Sequence, residues 1–255
     1  MLAIETHGLS RSFDGRPAVQ DLALHVPVGA FYGFLGPNGA GKSTTIRMLT
    51  GLLAPTAGRA RVLGHDLDAD PLGVKRQVGV VPDGLALFDR LSGAEQLRIH
   101  GQLYGLERAV AARRTDELLD ALELTAHAGK LVGDYSHGMK KKLALGCALI
   151  HGPRLLFLDE PFEGIDALAV SGIRGMLQDL VARGAMTIFL TSHVLEVVER
   201  LVTHVGIIHG GRLVAEGTLE EVRGAGSLEE VFIRTVGEER APRPGLSWLG
   251  EGPRT

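Results

Sequence analysis

Gly36-Pro37-Asn38-Gly39-Ala40-Gly41-Lys42-Ser43 matches the pattern G-x-x-x-x-G-K-[ST] in full. Its flanks fit the pattern as well. Ala30 to Leu35 is a continuous apolar run that reads as a buried strand, and a helix follows from Lys42 to about Thr50, closed by Gly51. Glycines permit positive φ and let backbone N–H groups approach phosphate oxygens closely. The helix start adds its positive dipole end. The pattern assigns Lys42 to the β- and γ-phosphates of a nucleotide and Ser43 to Mg²⁺, with Thr44 as the next residue of the same turn.

Such a loop calls for an acidic motif on a neighbouring strand. Leu155-Leu156-Phe157-Leu158-Asp159-Glu160 supplies it: four apolar residues bury a strand and deliver Asp159 at its carboxyl end, where open α/β sheets bind ligands. Asp159 is expected to hold Mg²⁺ through water. Glu160 is placed to polarise an attacking water, and no other acid in the chain is so placed. Asn38 is the only asparagine, so an Asn-Lys-x-Asp guanine reader is absent and GTP is disfavoured.

The chain has 255 residues, a soft prior of one or two domains, and 45% hydrophobic residues, enough for a large core. Lys and Arg number 27 against 30 Asp and Glu, so no overall basic charge points to nucleic acid. One cysteine, Cys147, excludes an intramolecular disulfide and reads as cytosolic usage. Met1 to His7 resembles no signal peptide. No apolar stretch approaches the roughly 18–20 residues of a membrane span.

Elsewhere, Leu22 to Val28 alternates like a half-buried strand, and Val78 to Val81 is a short buried one. From Phe88 to His151 the pattern is helical, opened by the capping box Ser92…Glu95, with periodic runs at Leu97–Tyr104, Asp116–Leu122 and Met139–Ile150. Strand signals return at Leu155–Leu158 and Thr187–Thr191, around a helix near Ile173–Ala182, which argues a parallel α/β sheet. Gly210-Gly211 marks a hairpin between Val205–Ile208 and Leu213–Ala215. Capping boxes at Thr218…Glu221 and Ser227…Glu230 open short helices. From Gly237 onward little is left to bury, which suggests a mobile tail. Lys140-Lys141-Lys142 reads as a solvated basic face, and Cys147 as a small core residue.

Together these motifs, in this order over residues 2 to 236, resemble the ATP-binding cassette of ABC transporters. Tyr135-Ser136-His137-Gly138-Met139 sits where the family has its Leu-Ser-Gly-Gly-Gln signature, about twenty residues before the acidic strand. The resemblance implies that Ser136, the Gly138 backbone and the helix start behind them contact the γ-phosphate bound to a second cassette. It implies that His193 is the switch histidine, that Glu163-Gly164-Ile165-Asp166 is the D-loop, and that Phe13 stacks on adenine. The family's Q-loop glutamine is replaced in Val81-Pro82-Asp83; Asp83 still offers an oxygen to Mg²⁺ or water. His137 and Met139 also depart from the signature. With Leu228 to Phe232, the Tyr-Ser-His-Gly-Met form resembles the branch that pairs with ABC-2-type permeases, often exporters.

The implied fold is an α/β P-loop NTPase with a mostly parallel core sheet, an N-terminal antiparallel β subdomain and an inserted helical subdomain. The implied division is a cassette over 1–236 (core 1–87 and 152–236, helical subdomain 88–151) and a tail over 237–255. The implied activity is ATP hydrolysis with Mg²⁺ in a head-to-tail homodimer or heterodimer of cassettes. That dimer drives a separate integral-membrane permease from the cytoplasmic face, with the contact surface near Asp83 to Leu91 and no nucleic-acid partner. A soluble ABC ATPase acting on nucleic acid or ribosomes is the alternative; it lacks here the second cassette, long coiled coil or basic extension usual for such proteins. An inactive regulatory cassette is opposed by the intact Lys42, Asp159 and Glu160.

Overall fold

The computed structural model describes residues 1–165, 167–184 and 186–237, of which 167–169 by their backbone alone. Asp166 of the expected D-loop and the tail from 238 to 255 lie outside the described residues.

Two sheets form the body. In the first, β1 (Leu2–Phe13) pairs antiparallel with β2 (Arg16–Leu22), β3 (His25–Pro27) and β5 (Ala57–Val62), and β5 pairs with β6 (His65–Asp66). The second has the order β11-β10-β4-β9-β8-β7, built from β4 (Phe31–Leu35), β7 (Val78–Val81), β8 (Leu155–Asp159), β9 (Thr187–Ser192), β10 (His204–His209) and β11 (Arg212–Thr218). Every pairing in it is parallel except the β10–β11 hairpin. At the tip of that hairpin Gly210 and Gly211 have φ of +54° and +78°, the left-handed pair that a tight primed turn requires.

The second sheet is buried on both faces, which is why its central strands are near-continuous apolar runs, with polar residues at the ends of β8 and β9. Residues alternate between two cores. On one side Tyr32, Phe34, Phe157 and Phe189 pack with Ile46, Met48 and Leu49 of α1 (Lys42–Leu49) and with the first sheet. Phe189 is the hub, its ring 5.4 Å from Tyr32, 5.3 Å from Phe34 and 5.5 Å from Phe157. On the other side Leu35, Leu156, Leu158 and Leu190 meet the helices.

Residues 88–151 carry α3 (Gly93–Leu103), α4 (Arg108–Ala121), two short 3₁₀ turns and α5 (His137–Leu149). Ser92 caps α3 with its reciprocal Glu95 bond, and the boxes at Thr218 and Ser227 open α8 (Leu219–Arg223) and α9 (Leu228–Val236) as expected. Helix α6 (Ala167–Ala182) joins β8 to β9, and α7 (Leu195–Glu199) follows β9. Cys147 is buried on α5, and burial pushes its thiol up to about 12.

Among the features that differ from the sequence reading, three stand out. Leu22 to Val28 is two strands, because β2 pairs the distal end of β1 while β3 pairs its start; between them Leu24 N–H donates to the Thr6 hydroxyl at 2.8 Å. Helix α2 (Pro71–Gln77) was not anticipated, although Asp70 caps it and Pro71 opens it. The third is Lys141, which is buried rather than part of a solvated face.

Helix α5 rests directly on β7 at Gly79, where a Cβ would collide with the Ala148 carbonyl oxygen. The obstruction is backbone and cannot rotate away. Gly79→Ala is therefore expected to lower stability by about 1–3 kcal/mol, read as a fall in the thermal midpoint; an unchanged midpoint would show that α5 is not seated there.

Candidate nucleotide site

The parallel strands end together on one edge of the second sheet, and the segments leaving their carboxyl ends build the site. Leu35 of β4 leads into the Gly36–Ser43 loop, with Gly39 and Gly41 at φ of +81° and +107°. At Gly41 a Cβ would stand 2.6 Å from the Ala18 carbonyl oxygen, so the loop folds here only without a side chain. The cleft above has a volume of about 420 Å³. Its lining takes Pro37, Asn38, Gly39, Gly41, Lys42, Ser43 and Thr44 from the loop and helix start, and Asp83, Glu160, Glu163 and His193 from the segments after other strands. Gly36 and Ala40 belong to the loop's own bonding: Lys42 Nζ donates to the Gly36 carbonyl at 2.8 Å and the Pro37 carbonyl at 3.4 Å, and Ala40 N–H donates to the Pro37 carbonyl at 3.1 Å.

Glu160 follows β8 with φ of +48°, a left-handed conformation that costs a non-glycine residue about 1–3 kcal/mol. Its surroundings hold it there. Its N–H donates to the Thr191 carbonyl at 3.2 Å and lies 3.2 Å from the Thr191 hydroxyl. Its own carbonyl accepts from Lys141 Nζ at 2.8 Å. The carboxylate then reaches across the cleft. Oε1 lies 3.4 Å from Lys42 Nζ, an ion pair with both side chains nearly buried. Oε2 accepts from His193 Nδ1 at 3.0 Å and from His193 N–H at 3.3 Å. A carboxylate only accepts, so this contact puts the proton on Nδ1. Among the described residues Oε1 has no hydrogen-bond partner, a buried acceptor facing the phosphate loop.

Asp159 is buried behind the cleft, and its Oδ1 accepts from the Thr191 hydroxyl at 2.6 Å. Thr191 thus ties both acids of the motif to β9. The sequence reading missed it, because its only signal is a polar residue at the carboxyl end of an apolar strand, and its partner depends on the β8–β9 register, Asp159 opposite Thr191. Lys141 was missed for the same reason.

Three expected residues stand outside this cluster. Ser136 caps α5, its hydroxyl accepting from Met139 N–H at 3.2 Å, and it is exposed, with Gly138 in the first turn; neither lines the cleft. Phe13 ends β1 with its ring exposed and the Arg11 guanidinium 4.8 Å from the ring centre. It does not line the cleft either.

The loop fits a polyphosphate, since it offers backbone N–H groups, a helix start and a lysine at one place. The Ser43 hydroxyl on the cleft and the Asp159 carboxylate behind it are hard oxygen donors, the kind that would suit Mg²⁺.

Comparison with known proteins agrees with this geometry. The family model for ABC transporters matches residues 19–163. The daunorubicin/doxorubicin resistance ATP-binding protein of Streptomyces peucetius is 41% identical over 88% of this chain and 67% of its own length. The bacitracin transport ATP-binding protein of Bacillus licheniformis is 38% identical over 84% and 69%. A solved ATP-binding subunit of an ABC transporter superposes with a TM-score of 0.85 at 32% identity, covering 92% of this chain and 99% of that one. The loop, the acidic strand and the matched fold together make this chain a member of the ABC transporter family, an ATP-binding ATPase subunit.

Proposed function

We propose that this chain powers export of a drug or other small molecule, as one half of a head-to-tail pair of cassettes that encloses two MgATP. The partner cassette is a second copy or a related chain. The pair acts on a separate ABC-2-type permease from the cytoplasmic face of the membrane. Among the described residues no helix is long and apolar enough to cross a membrane, and the relatives named above carry resistance and transport in their names.

One observation carries the reading. Lys42, Glu160 and His193 converge on one cleft, while Ser136 and Gly138 present an open helix start on another part of the same chain. The second set fits a phosphate bound to the other cassette. Phosphoryl transfer to water needs positioning and charge stabilisation rather than covalent catalysis. Water attacks the γ-phosphorus and gives a proton to Glu160 Oε1; the bond to the β-phosphate oxygen breaks, leaving ADP and phosphate. His193 holds the other carboxylate oxygen, and Lys42 takes phosphate charge. Mg²⁺, held by Ser43 and Asp159 with Asp83 on the same cleft, supplies further charge neutralisation when bound. Phe13 is assigned to adenine stacking.

Glu160→Gln is expected to cut turnover by roughly 10²-fold or more while ATP still binds, and to bring the chain to a nucleotide-dependent dimer in size-exclusion chromatography. Parental turnover in that variant, or full activity in a strict monomer, contradicts the reading. Thr191→Val removes the donor to Asp159 and the second acceptor for Glu160 N–H at nearly constant volume. It is expected to lose about 1–3 kcal/mol of stability and to raise the Mg²⁺ concentration needed for half-maximal ATPase activity. A parental Mg²⁺ titration would remove Thr191 from the positioning of Asp159.

A further inference from the structure

Lys141 has no place in the hydrolytic scheme above, yet it is 5% exposed, and lysine is almost never buried without a partner. It sits on α5, five residues after Ser136, and lines a small cavity with the apolar Val81, Leu145, Leu158, Pro161 and Ile173. Its ammonium donates to the carbonyl of Glu160 at 2.8 Å.

That carbonyl matters because the next residue is Pro161. The peptide between Glu160 and Pro161 therefore has no N–H, and its carbonyl oxygen is its single hydrogen-bonding group. A following proline also disfavours the right-handed helical region, so the alternative to the observed φ of +48° is an extended backbone. The peptide before Glu160 is anchored by Thr191 of β9; the oxygen of the peptide after it accepts from Lys141 of α5 at 2.8 Å and, at a longer 3.3 Å, from the Glu163 N–H. With both planes held, the Cα–Cβ direction is set and the carboxylate falls between Lys42 and His193.

We propose that Lys141 is a positioning residue for hydrolysis, which holds the Glu160 backbone left-handed through its carbonyl and thereby aims the carboxylate. Burial pulls the lysine below its usual range, and the Glu163, Asp83 and Glu160 carboxylates oppose that pull. The proposal rests on Glu160 as the base, and it adds a physical link from the signature helix to that base within one chain.

The test is steady-state ATPase kinetics with ATP affinity by calorimetry, on the full chain. Lys141→Met is expected to lower kcat roughly 10- to 100-fold, the scale of a displacement near 1 Å, with the ATP Kd within about two-fold of the parent. Lys141→Arg, which keeps a charged donor, should recover most of the rate. In a Glu160→Gln background Lys141→Met should cause no further loss, since it acts through that side chain. Parental kcat in Lys141→Met, or an equal further loss in the Glu160→Gln background, overturns the proposal. If Lys141→Met does not fold, Lys141→Gln, polar but one atom too short to keep the contact, replaces it with the same expected loss in kcat. Parental turnover of Glu160→Gln alone would instead overturn the reading of Glu160 as base, so the two failures are told apart.

Discussion

The site depends on the register of three parallel strands. In β4, β9 and β8 the pairs Leu35 with Ser192 and Asp159 with Thr191 bring the strand ends to one line, so that the phosphate loop, the Thr191–His193 segment and Glu160 emerge side by side. A shift of one residue would turn each strand's side chains to the opposite face. Phe157, Phe189 and Phe34 would then leave the core they share with α1. Hydrophobic packing between strands and helix therefore fixes the distances among charged groups that never touch the core.

On that edge one carboxylate carries several obligations. Glu160 is ion-paired to Lys42, accepts from His193, and sits in a backbone conformation that β-strand continuation would not produce. A buried ion pair is weak as a source of stability, because desolvation offsets much of its attraction. Strain in the backbone adds to the cost. For the hydrolysis proposed above, such an arrangement amounts to preorganisation: the acceptor oxygen and the lysine would already stand where charge develops, and little rearrangement would be needed when phosphate reached them.

The parts of this design written in local pattern were legible in the sequence. The phosphate loop, the Val78–Val81 strand, the Gly210-Gly211 turn and the three capping boxes each rest on residues near one another in the chain, and each formed as expected. The long strand β1 was not read as one, because its order comes from three partners, β5 among them far along the chain, and its register is broken against each of them. Residues that depend on a neighbour's position were invisible in the same way. Nothing local distinguishes Lys141 from Lys140, yet Lys140 pairs with exposed Asp89 at 3.3 Å while Lys141 turns into the core. The rotation of α5 decides between them, and Gly79 beneath α5 lets that helix come close enough.

The division of α5 between two tasks has a consequence for the proposed dimer. Its start carries the exposed cap Ser136 and the half-buried Gly138, which the proposal turns toward a second cassette, and its second turn carries Lys141, bonded to this chain's own Glu160. A helix is stiff over so short a span, so a displacement of the first turn is passed to the second with little loss. In a closed dimer, contact of the partner's phosphate with Ser136 would bear through Lys141 on the glutamate of the opposite site. The two sites would then be joined through one stiff turn of helix, and coupling between them would require that this turn take two positions which each site biases.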